Sequence, residues 1–275
     1  MKIGAGTAPI FSASWCALAC WGSPQRSWGG ESITEEANEA KGDPENIVNG
    51  PANPKVAAEA AMKLIGYFRS SAAFRVRIAL NLKGIAVEHA SRHLRKGEQA
   101  APDYVALNPQ KLVPAMVLDS GDVLTQSLAI LEYIEEIHPQ PPLLPGDPVD
   151  RARIRALALI CTADIHPIQN LRVMTYLRDN FGQSEESAFA WSRHWIDTGF
   201  EAYEATVAGD RKTGTFSHGD HPTMADLCLI PQVFNAARFK VDMKKYPTIQ
   251  RIFEASMKLP AFDAAQPSRQ PDAEP

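Results

Sequence analysis

Several common classes of protein are excluded by what this sequence lacks. It has only four cysteines and no CxxC pair, which argues against a disulfide framework and against a thioredoxin-type redox centre. No apolar run approaches the ~20 residues that a membrane-spanning helix needs, so no membrane partner is expected. The formal net charge is -4, and nucleic acid is not expected as a partner because its binders present a basic face.

The remaining composition is that of an ordinary globular protein. The chain has 275 residues, of which 45% are hydrophobic and 22% are charged. This length suits one large domain or two smaller ones, with a core that needs neither metal nor disulfide. Residues 22–55 are rich in Gly, Pro, Ser, Asn and Glu and show no hydrophobic period. We therefore expect 1–61 to be a disordered or misassigned extension, Met62 to be the natural start, and the protein to be cytoplasmic.

Strand and helix patterns alternate after Met62. MKLIGYF and AVEHASRHL are typical of strands, and VPAMVLDSGDVL predicts a hairpin that turns at the DSGD stretch. SLAILEYIEEIH predicts a helix whose start Ser127 is placed to cap. FRVRIALNL alternates apolar and polar residues, which by period alone predicts a strand. Residues 62–140 are thus expected to form a small α/β domain with a mixed sheet.

A proline-rich segment, HPQPPLLPGDP, marks the expected domain boundary because it cannot form regular structure. The chain that follows, 149–266, is expected to be an all-helical domain. Its patterns predict a long first helix that Pro167 kinks or breaks, a second over residues 184–207, and a last one from Pro247. Thr223 followed by Asp226 is typical of a capping box. Cys161 and Cys228 lie inside apolar helical patterns and are expected to be buried, reduced thiols.

Six stretches together identify the chain as a member of a known family. YFRSSAAFRVRIALNLKG, ALNPQKLVPAMV, LTQSLAILEYIEE, IHPIQNLRV, TMADLCLIPQVFNAARFKVD and YPTI resemble, in order and spacing, the motifs of maleylacetoacetate isomerases, the zeta class of glutathione transferases. The resemblance runs from Met62 to about Pro271. It implies an N-terminal thioredoxin-like α/β domain followed by an all-helical domain, with FRVRIALNL as a helix and the active site in the cleft between the domains.

The resemblance also implies glutathione as cofactor, a homodimer, and a small dicarboxylate as substrate. The implied reaction is the isomerisation of 4-maleylacetoacetate to 4-fumarylacetoacetate in phenylalanine and tyrosine breakdown. A glutathione transferase or dehalogenase acting on α-haloacids and a maleylpyruvate isomerase remain alternatives with the same chemistry. A non-catalytic binding protein of the same fold is a further alternative, although it would need none of the site residues below.

The thiol of glutathione must be deprotonated to react. Lowering a pKa of ~8.5 by two units requires about 2.7 kcal/mol. A helix N-terminus supplies ~0.3–1 kcal/mol, and a hydrogen bond to a charged group ~1.5–3 kcal/mol. A serine hydroxyl at the strand-to-helix turn would supply both, and the resemblance assigns this catalytic role to Ser70, with Ser71 second. An isolated serine pair before a helix would more often be a simple cap.

The resemblance implies a wider set of glutathione-binding residues, drawn from the turn and from both expected domains. These are Ser70, Ser71, Ala72, Ala73, Phe74, Arg75, Gln99, Val113, Gln126, Ser127, His166, Asn170, Leu171 and Arg172. Val113 precedes a proline that is cis in the family, and Gln126–Ser127 resembles the pair that holds the γ-glutamyl carboxylate. Ala72 stands where many members have cysteine, so no protein thiol can act at that position.

The acid substrate carries two carboxylates, which an arginine fork suits well. Arg238 matches the family position that binds a substrate carboxylate and completes the catalytic set. Arg69 and Arg75 flank the turn and add positive potential. Arg151, Arg153 and Arg155 are instead expected on a solvated face. His218, Asp220 and His221 form the nearest approach to a metal cluster, but without a second group of ligands no metal site is expected.

Overall fold

The computed structural model describes residues 62–274, which belong to one compact unit. The expected extension, residues 1–61, lies outside the described residues. Within the compact unit a sheet with its helices comes first in the chain and a helical part follows. The expected boundaries at 140 and 149 stay a prediction, because no division falls between these two parts.

Four short strands form one mixed sheet in the order β2-β1-β3-β4. β1 runs parallel to β2 and antiparallel to β3, and β3 pairs with β4 as the expected hairpin. Gly121 takes a φ of 87° in the hairpin turn, a conformation that glycine adopts without strain. The strands are β1 Lys63–Gly66, β2 Glu88–Ser91, β3 Ala115–Val117 and β4 Val123–Thr125.

Three α-helices accompany the sheet: α1 Ser71–Lys83, α2 Pro102–Leu107 and α3 Ser127–Ile137. The alternating FRVRIALNL segment lies in α1, which confirms the helix that the resemblance implies and shows that the strand predicted by the period alone is wrong. Residues 72–80 are all buried, because α1 packs against α3 and also against two helices of the second part, Met224–Arg238 and Pro260–Ala265. A helix that is buried all round has no solvent face to impose a 3.6-residue period.

The expected cap of α3 is shifted by one residue. Gln126, not Ser127, is the N-cap residue, and its side chain makes no capping hydrogen bond. Ser127 is the first residue of the helix and is buried, with its hydroxyl accepting a hydrogen bond from Arg75. Its hydroxyl therefore belongs to a contact with α1 rather than to its own helix terminus.

The second part is helical throughout, as predicted. The first helix passes into a π-helical stretch, Ile160–Ile165, and regular helix ends just before Pro167, which confirms the expected break. The α-helices are α4 Pro148–Leu159, α5 Leu171–Phe181, α6 Glu185–Val207, α7 Met224–Arg238, α8 Pro247–Met257 and α9 Pro260–Ala265.

α7 is the central helix of the compact unit, because it packs against both α1 and α4. Its N-terminus carries the predicted capping box between Thr223 and Asp226. The buried Asp226 carboxylate accepts hydrogen bonds from the Thr223 and Ser217 backbone N–H groups, each at 2.8 Å. These bonds satisfy amide groups that would otherwise be buried without partners.

The proline-rich segment is fixed by one buried ion pair. The Lys83 amine lies 2.7 Å from the Glu135 carboxylate and also donates to the carbonyl groups of His138 and Pro141. The same carboxylate accepts a hydrogen bond from the Leu143 N–H at 3.0 Å. The proline-rich segment has no regular structure, but it is held against α1 and α3 because its backbone groups have hydrogen-bond partners there.

Cys161 and Cys228 are free and fully buried, as predicted. Burial raises the pKa of both thiols, that of Cys228 to about 11, so neither is a thiolate at neutral pH. Along residues 62–274, no helix combines the length and the apolar character needed to cross a membrane.

Candidate active site

A cleft of about 1300 Å³ lies between the α/β part and the helical part. Most of the predicted site residues line it. They are Ser70, Ser71, Ala72, Arg75, Gln99, Val113, Gln126, Ser127, His166, Asn170, Leu171, Arg172 and Arg238. Ala73 and Phe74 do not line it, because both are in the core and the Phe74 ring packs edge-on against Phe234 at 5.3 Å.

Two kinds of lining residue are distinguished by their exposure. We call Ser70, Arg75 and Ser127, which are buried or half-buried, the floor of the cleft. Three of the exposed arginines that line the cleft, Arg69, Arg95 and Arg238, are called its rim.

Ser70 is the N-cap of α1 and has extended backbone geometry. Its hydroxyl oxygen accepts a hydrogen bond from the Ala73 N–H at 3.2 Å, and its own N–H donates to the Tyr67 carbonyl at 2.9 Å. The capping role and a catalytic role are therefore compatible, because a hydroxyl that accepts from the helix can still donate its proton. Ser71 differs, since its hydroxyl donates to the Pro231 carbonyl at 3.4 Å.

Arg75 places a buried charge in the floor. Its side chain is only 2% exposed, and Nη1 donates to the Ser127 hydroxyl at 3.1 Å. Within residues 62–274 no carboxylate pairs with it, and its Nε and Nη2 atoms are buried without hydrogen-bond partners. Burial lowers the pKa of Arg75, but an arginine keeps its charge at neutral pH. A buried cation of this kind favours an anion nearby.

Four more predicted residues, His166, Asn170, Leu171 and Arg172, follow the π-helical stretch. Burial lowers the pKa of His166 to about 3, and the charges of Arg75 and Arg172 act in the same direction. His166 is therefore neutral throughout the physiological range. Asn170 caps α5 by accepting a hydrogen bond from the Arg172 N–H at 3.1 Å, and Leu171 is exposed.

Backbone and amide groups complete the side of the cleft formed by the α/β part. The Val113–Pro114 peptide bond is cis, as the resemblance implies. Gln126 has a φ of 66° and donates from Nε2 to the side-chain Oε1 atom of Gln110 at 2.8 Å. The Gln99 Oε1 atom is buried and has no hydrogen-bond donor among the described residues, which leaves an acceptor available to a ligand.

The rim concentrates positive charge. Burial lowers the pKa of Arg238, and the neighbouring charges of Arg95 and Arg69 lower it further. Across residues 62–274 none of the three rim arginines forms a salt bridge. Sequence reasoning missed Arg95, because it lies in a short 3₁₀ turn, Leu94–Lys96, where no pattern separates it from an ordinary solvated cation.

The expected solvated face is only partly correct. Arg153 is instead held by the Asp210 carboxylate at 2.8 Å and the Ser217 carbonyl at 2.8 Å, and Arg155 pairs with Glu132. Arg151 is exposed as predicted. None of the three lines the cleft. In the part of the chain that the structure describes, no three His, Cys, Asp or Glu side chains form a group able to hold a metal ion.

Comparison with known proteins places this geometry in a family. Residues 69–137 match the model of the glutathione S-transferase N-terminal domain. The chain is 51% identical to a maleylpyruvate isomerase of Ralstonia sp. over 213 residues, which are 77% of this chain and all of that protein. It is 44% identical to the maleylacetoacetate isomerase of Pseudomonas aeruginosa over 213 residues, 77% of this chain and 98% of that protein.

Solved structures agree. A holo maleylpyruvate isomerase, described as a bacterial glutathione S-transferase of the zeta class, superposes with a TM-score of 0.75 at 49% identity, covering 77% of this chain and all of that one. The maleylacetoacetate isomerase of Methylobacterium extorquens AM1, solved with malonate and glutathione, gives 0.76 at 45% identity over 78% of this chain and all of that one.

The chain belongs to the zeta class of glutathione S-transferases. Its relatives within that class carry the names of two isomerases, for maleylacetoacetate and for maleylpyruvate. The predicted fold and class of enzyme are therefore confirmed.

Proposed function

We propose that the protein is a glutathione-dependent cis–trans isomerase that converts 4-maleylacetoacetate to 4-fumarylacetoacetate in phenylalanine and tyrosine breakdown. The observation that carries this proposal is the pairing of two features in one cleft. The Ser70 hydroxyl stands at the N-terminus of α1, and the rim presents three arginines above it. A thiolate site beside a cationic site suits an acid substrate attacked by sulfur.

The floor fits glutathione. Arg75 is a buried cation without a carboxylate in the described chain, and Ser127 begins α3 beside it, so a carboxylate would find both charge and a helix N-terminus there. The orphan Gln99 Oε1 atom offers an acceptor for a peptide N–H. The backbone of Val113 also lines the cleft, where an extended peptide can pair with it. Relatives solved with glutathione support this assignment.

Bound glutathione supplies a thiolate, which adds reversibly to the cis double bond so that rotation can occur before the sulfur leaves. Ser70 would hold that sulfur by donating its hydroxyl proton. The hydrogen bond contributes ~1.5–3 kcal/mol and the α1 terminus ~0.3–1 kcal/mol, close to the ~2.7 kcal/mol that two pKa units require. Arg238 would hold a substrate carboxylate, while Arg69 and Arg95 add attraction for the dianion.

A homodimer in the cytoplasm is also proposed, as the family resemblance implies. Light scattering on the purified protein tests the oligomeric state, and a mass of one chain would contradict a dimer.

The isomerase proposal is tested by following the absorbance of maleylacetoacetate, or of maleylacetone, with and without glutathione. Turnover that requires glutathione but leaves its concentration unchanged is the expected result. Firm binding to immobilised glutathione without turnover would refute the reaction and direct attention to α-haloacid conjugation.

Maleylpyruvate is the second candidate substrate, since the relative at 51% identity carries that name. Both acids would use the same floor, and they differ in how far apart their carboxylates lie. The ratio of kcat/KM for the two acids decides between them, and a ratio above ~10 in either direction corresponds to more than 1.4 kcal/mol of transition-state discrimination.

A further inference from the structure

The last described residues, 266–274, pack beside the catalytic turn. Asp272 reaches the backbone between β1 and α1, where its Oδ2 atom accepts a hydrogen bond from the Phe68 N–H at 3.0 Å. The Phe68 carbonyl is held as well, because it accepts from Arg77 Nη2 at 3.1 Å. Both polar groups of this residue's backbone therefore have side-chain partners, and one of these partners, Asp272, is 204 residues away in sequence.

Each partner is itself fixed. The Asp272 Oδ2 atom also accepts from the Ser91 hydroxyl at 2.7 Å. Arg77 is only 5% exposed and donates from Nε to the Ala265 carbonyl at 3.0 Å. Burial lowers the pKa of Arg77 to about 10, and the negative charge of Asp272 opposes that shift. The carboxylate and the guanidinium thus support each other around Phe68.

This arrangement lies two residues before Ser70. The Ser70 N–H donates to the Tyr67 carbonyl at 2.9 Å, so the turn that presents the hydroxyl is hydrogen-bonded directly to the residue preceding Phe68. Tyr67 and Phe68 are both buried, which leaves the turn little freedom on the sheet side.

The same terminal segment reaches the loop that carries Arg95 and Gln99 into the cleft. The Glu274 carboxylate lies 3.0 Å from His93 Nε2 and 3.6 Å from the Lys96 amine. Residues 272–274 therefore touch two of the elements from which the candidate site is built.

We propose that Asp272 is a positioning residue for the isomerisation, which fixes the Phe68 peptide so that the Ser70 hydroxyl faces the sulfur of glutathione. The inference rests on the proposed function. Reacting groups lose about 100-fold in rate when misplaced by ~1 Å, and the Asp272 carboxylate holds the N–H of Phe68, which lies two residues before Ser70. Asp272 acts through the backbone and touches neither substrate nor cofactor.

The test compares Asp272→Ala, Asp272→Asn and a control, Asp263→Asn, in the full-length protein. Asp263 lies in the same terminal region, but among the described residues its carboxylate has polar contacts only with Gln266 and Arg269. Three quantities are measured for each variant: kcat with saturating substrate, the pKa of the bound glutathione thiol from thiolate absorbance, and the melting temperature.

Asp272→Ala is expected to lower kcat about tenfold to a hundredfold and to raise the pKa of the bound thiol, while KM for the acid changes little. Asp272→Asn keeps one acceptor oxygen and is expected to lose less. The control should leave both kcat and the thiol pKa unchanged.

A lower melting temperature in Asp272→Ala with unchanged kcat and unchanged thiol pKa would overturn the proposal, because the carboxylate would then only stabilise the fold. If the alanine variant does not fold, the same readings on Asp272→Asn decide. A wild-type protein that binds glutathione without isomerising the acid would refute the proposed function. The thiol titration would still test Asp272 in that case.

Discussion

The floor and the rim of the cleft depend on different interactions, hydrogen bonds in the floor and exposed charges on the rim. On the floor, Ser70 and Ser127 are buried or half-buried and each has a defined hydrogen-bond partner. On the rim, Arg95 and Arg238 are exposed and form no salt bridge within residues 62–274. The floor resembles a preorganised site, in which position matters most. The rim works mainly through the sum of its charges, so single positions should matter less there.

The sharpest test of this contrast is Ser70→Ala on the floor. We expect turnover to fall about 100-fold and the pKa of the bound thiol to rise, because the sulfur loses its hydrogen-bond donor. Steady-state absorbance assays measure the turnover, and titration of the thiolate absorbance measures the pKa of the bound thiol. Ser71→Ala is the matched control with a small expected effect, since that hydroxyl points to the Pro231 carbonyl. Equal losses in the two variants would remove the distinction between the serines.

A smaller effect is expected on the rim. Arg238→Gln should lower kcat/KM for the acid about tenfold, the value of one charge-assisted hydrogen bond, with glutathione affinity unchanged. Arg95→Gln should lose less, and added salt should weaken acid binding in the wild type because the charges are exposed. Arg151→Gln, exposed and outside the cleft, is the control. A loss at Arg238 as large as that at Ser70 would contradict the contrast.

His166 allows the floor to be probed by pH. Its pKa is about 3 in the folded protein against 6.5 when exposed, so between these values the unfolded chain binds a proton that the folded chain does not. Stability should therefore fall as pH decreases below about 6.5. From about pH 7.5 to pH 5 the melting temperature of the wild type should fall by about 4–8 °C more than that of His166→Gln. Parallel melting curves would show that His166 is not desolvated.

The smallest effect is expected at Ala72, which lines the cleft beside the serines. Ala72→Cys installs the cysteine that the family resemblance implies at this position, yet the proposed chemistry uses no protein thiol. The expected change in kcat is less than about twofold, because one small buried residue replaces another. A large gain in rate would assign a role to the side chain at this position.

The sequence predicted an element correctly where a single local requirement dominates the structure of that element. The hairpin at Gly121, the capping box of α7 and the break before Pro167 each depend on a local requirement of turn, cap or missing donor, and each is observed. The helical structure of α1 could not be predicted from its pattern of apolar and polar residues. Its polar residues Arg75 and Arg77 are buried by tertiary contacts, so the period of the sequence no longer reports a solvent face.

The candidate site shows the same limit. Motif resemblance selects Ser70 and Arg238 because they lie in recognisable stretches, and both line the cleft. Arg95 and Asp272 come from segments whose importance depends on distant residues, because the charge of Arg95 acts on Arg238 and the Asp272 carboxylate accepts a hydrogen bond from Phe68. Such contacts follow from the folded chain and carry no local signal.

The buried thiols have a chemical consequence for an enzyme that handles glutathione. Cys161 and Cys228 are inaccessible, and no cysteine is among the residues described as lining the cleft. Thiol–disulfide exchange needs a sulfur that an incoming thiolate or disulfide can reach. None of the described residues that line the cleft provides such a sulfur. Among residues 62–274, oxidised glutathione that enters the cleft therefore has no cysteine with which to form a mixed disulfide, and the side chains of the floor should stay chemically intact when the glutathione pool becomes oxidised.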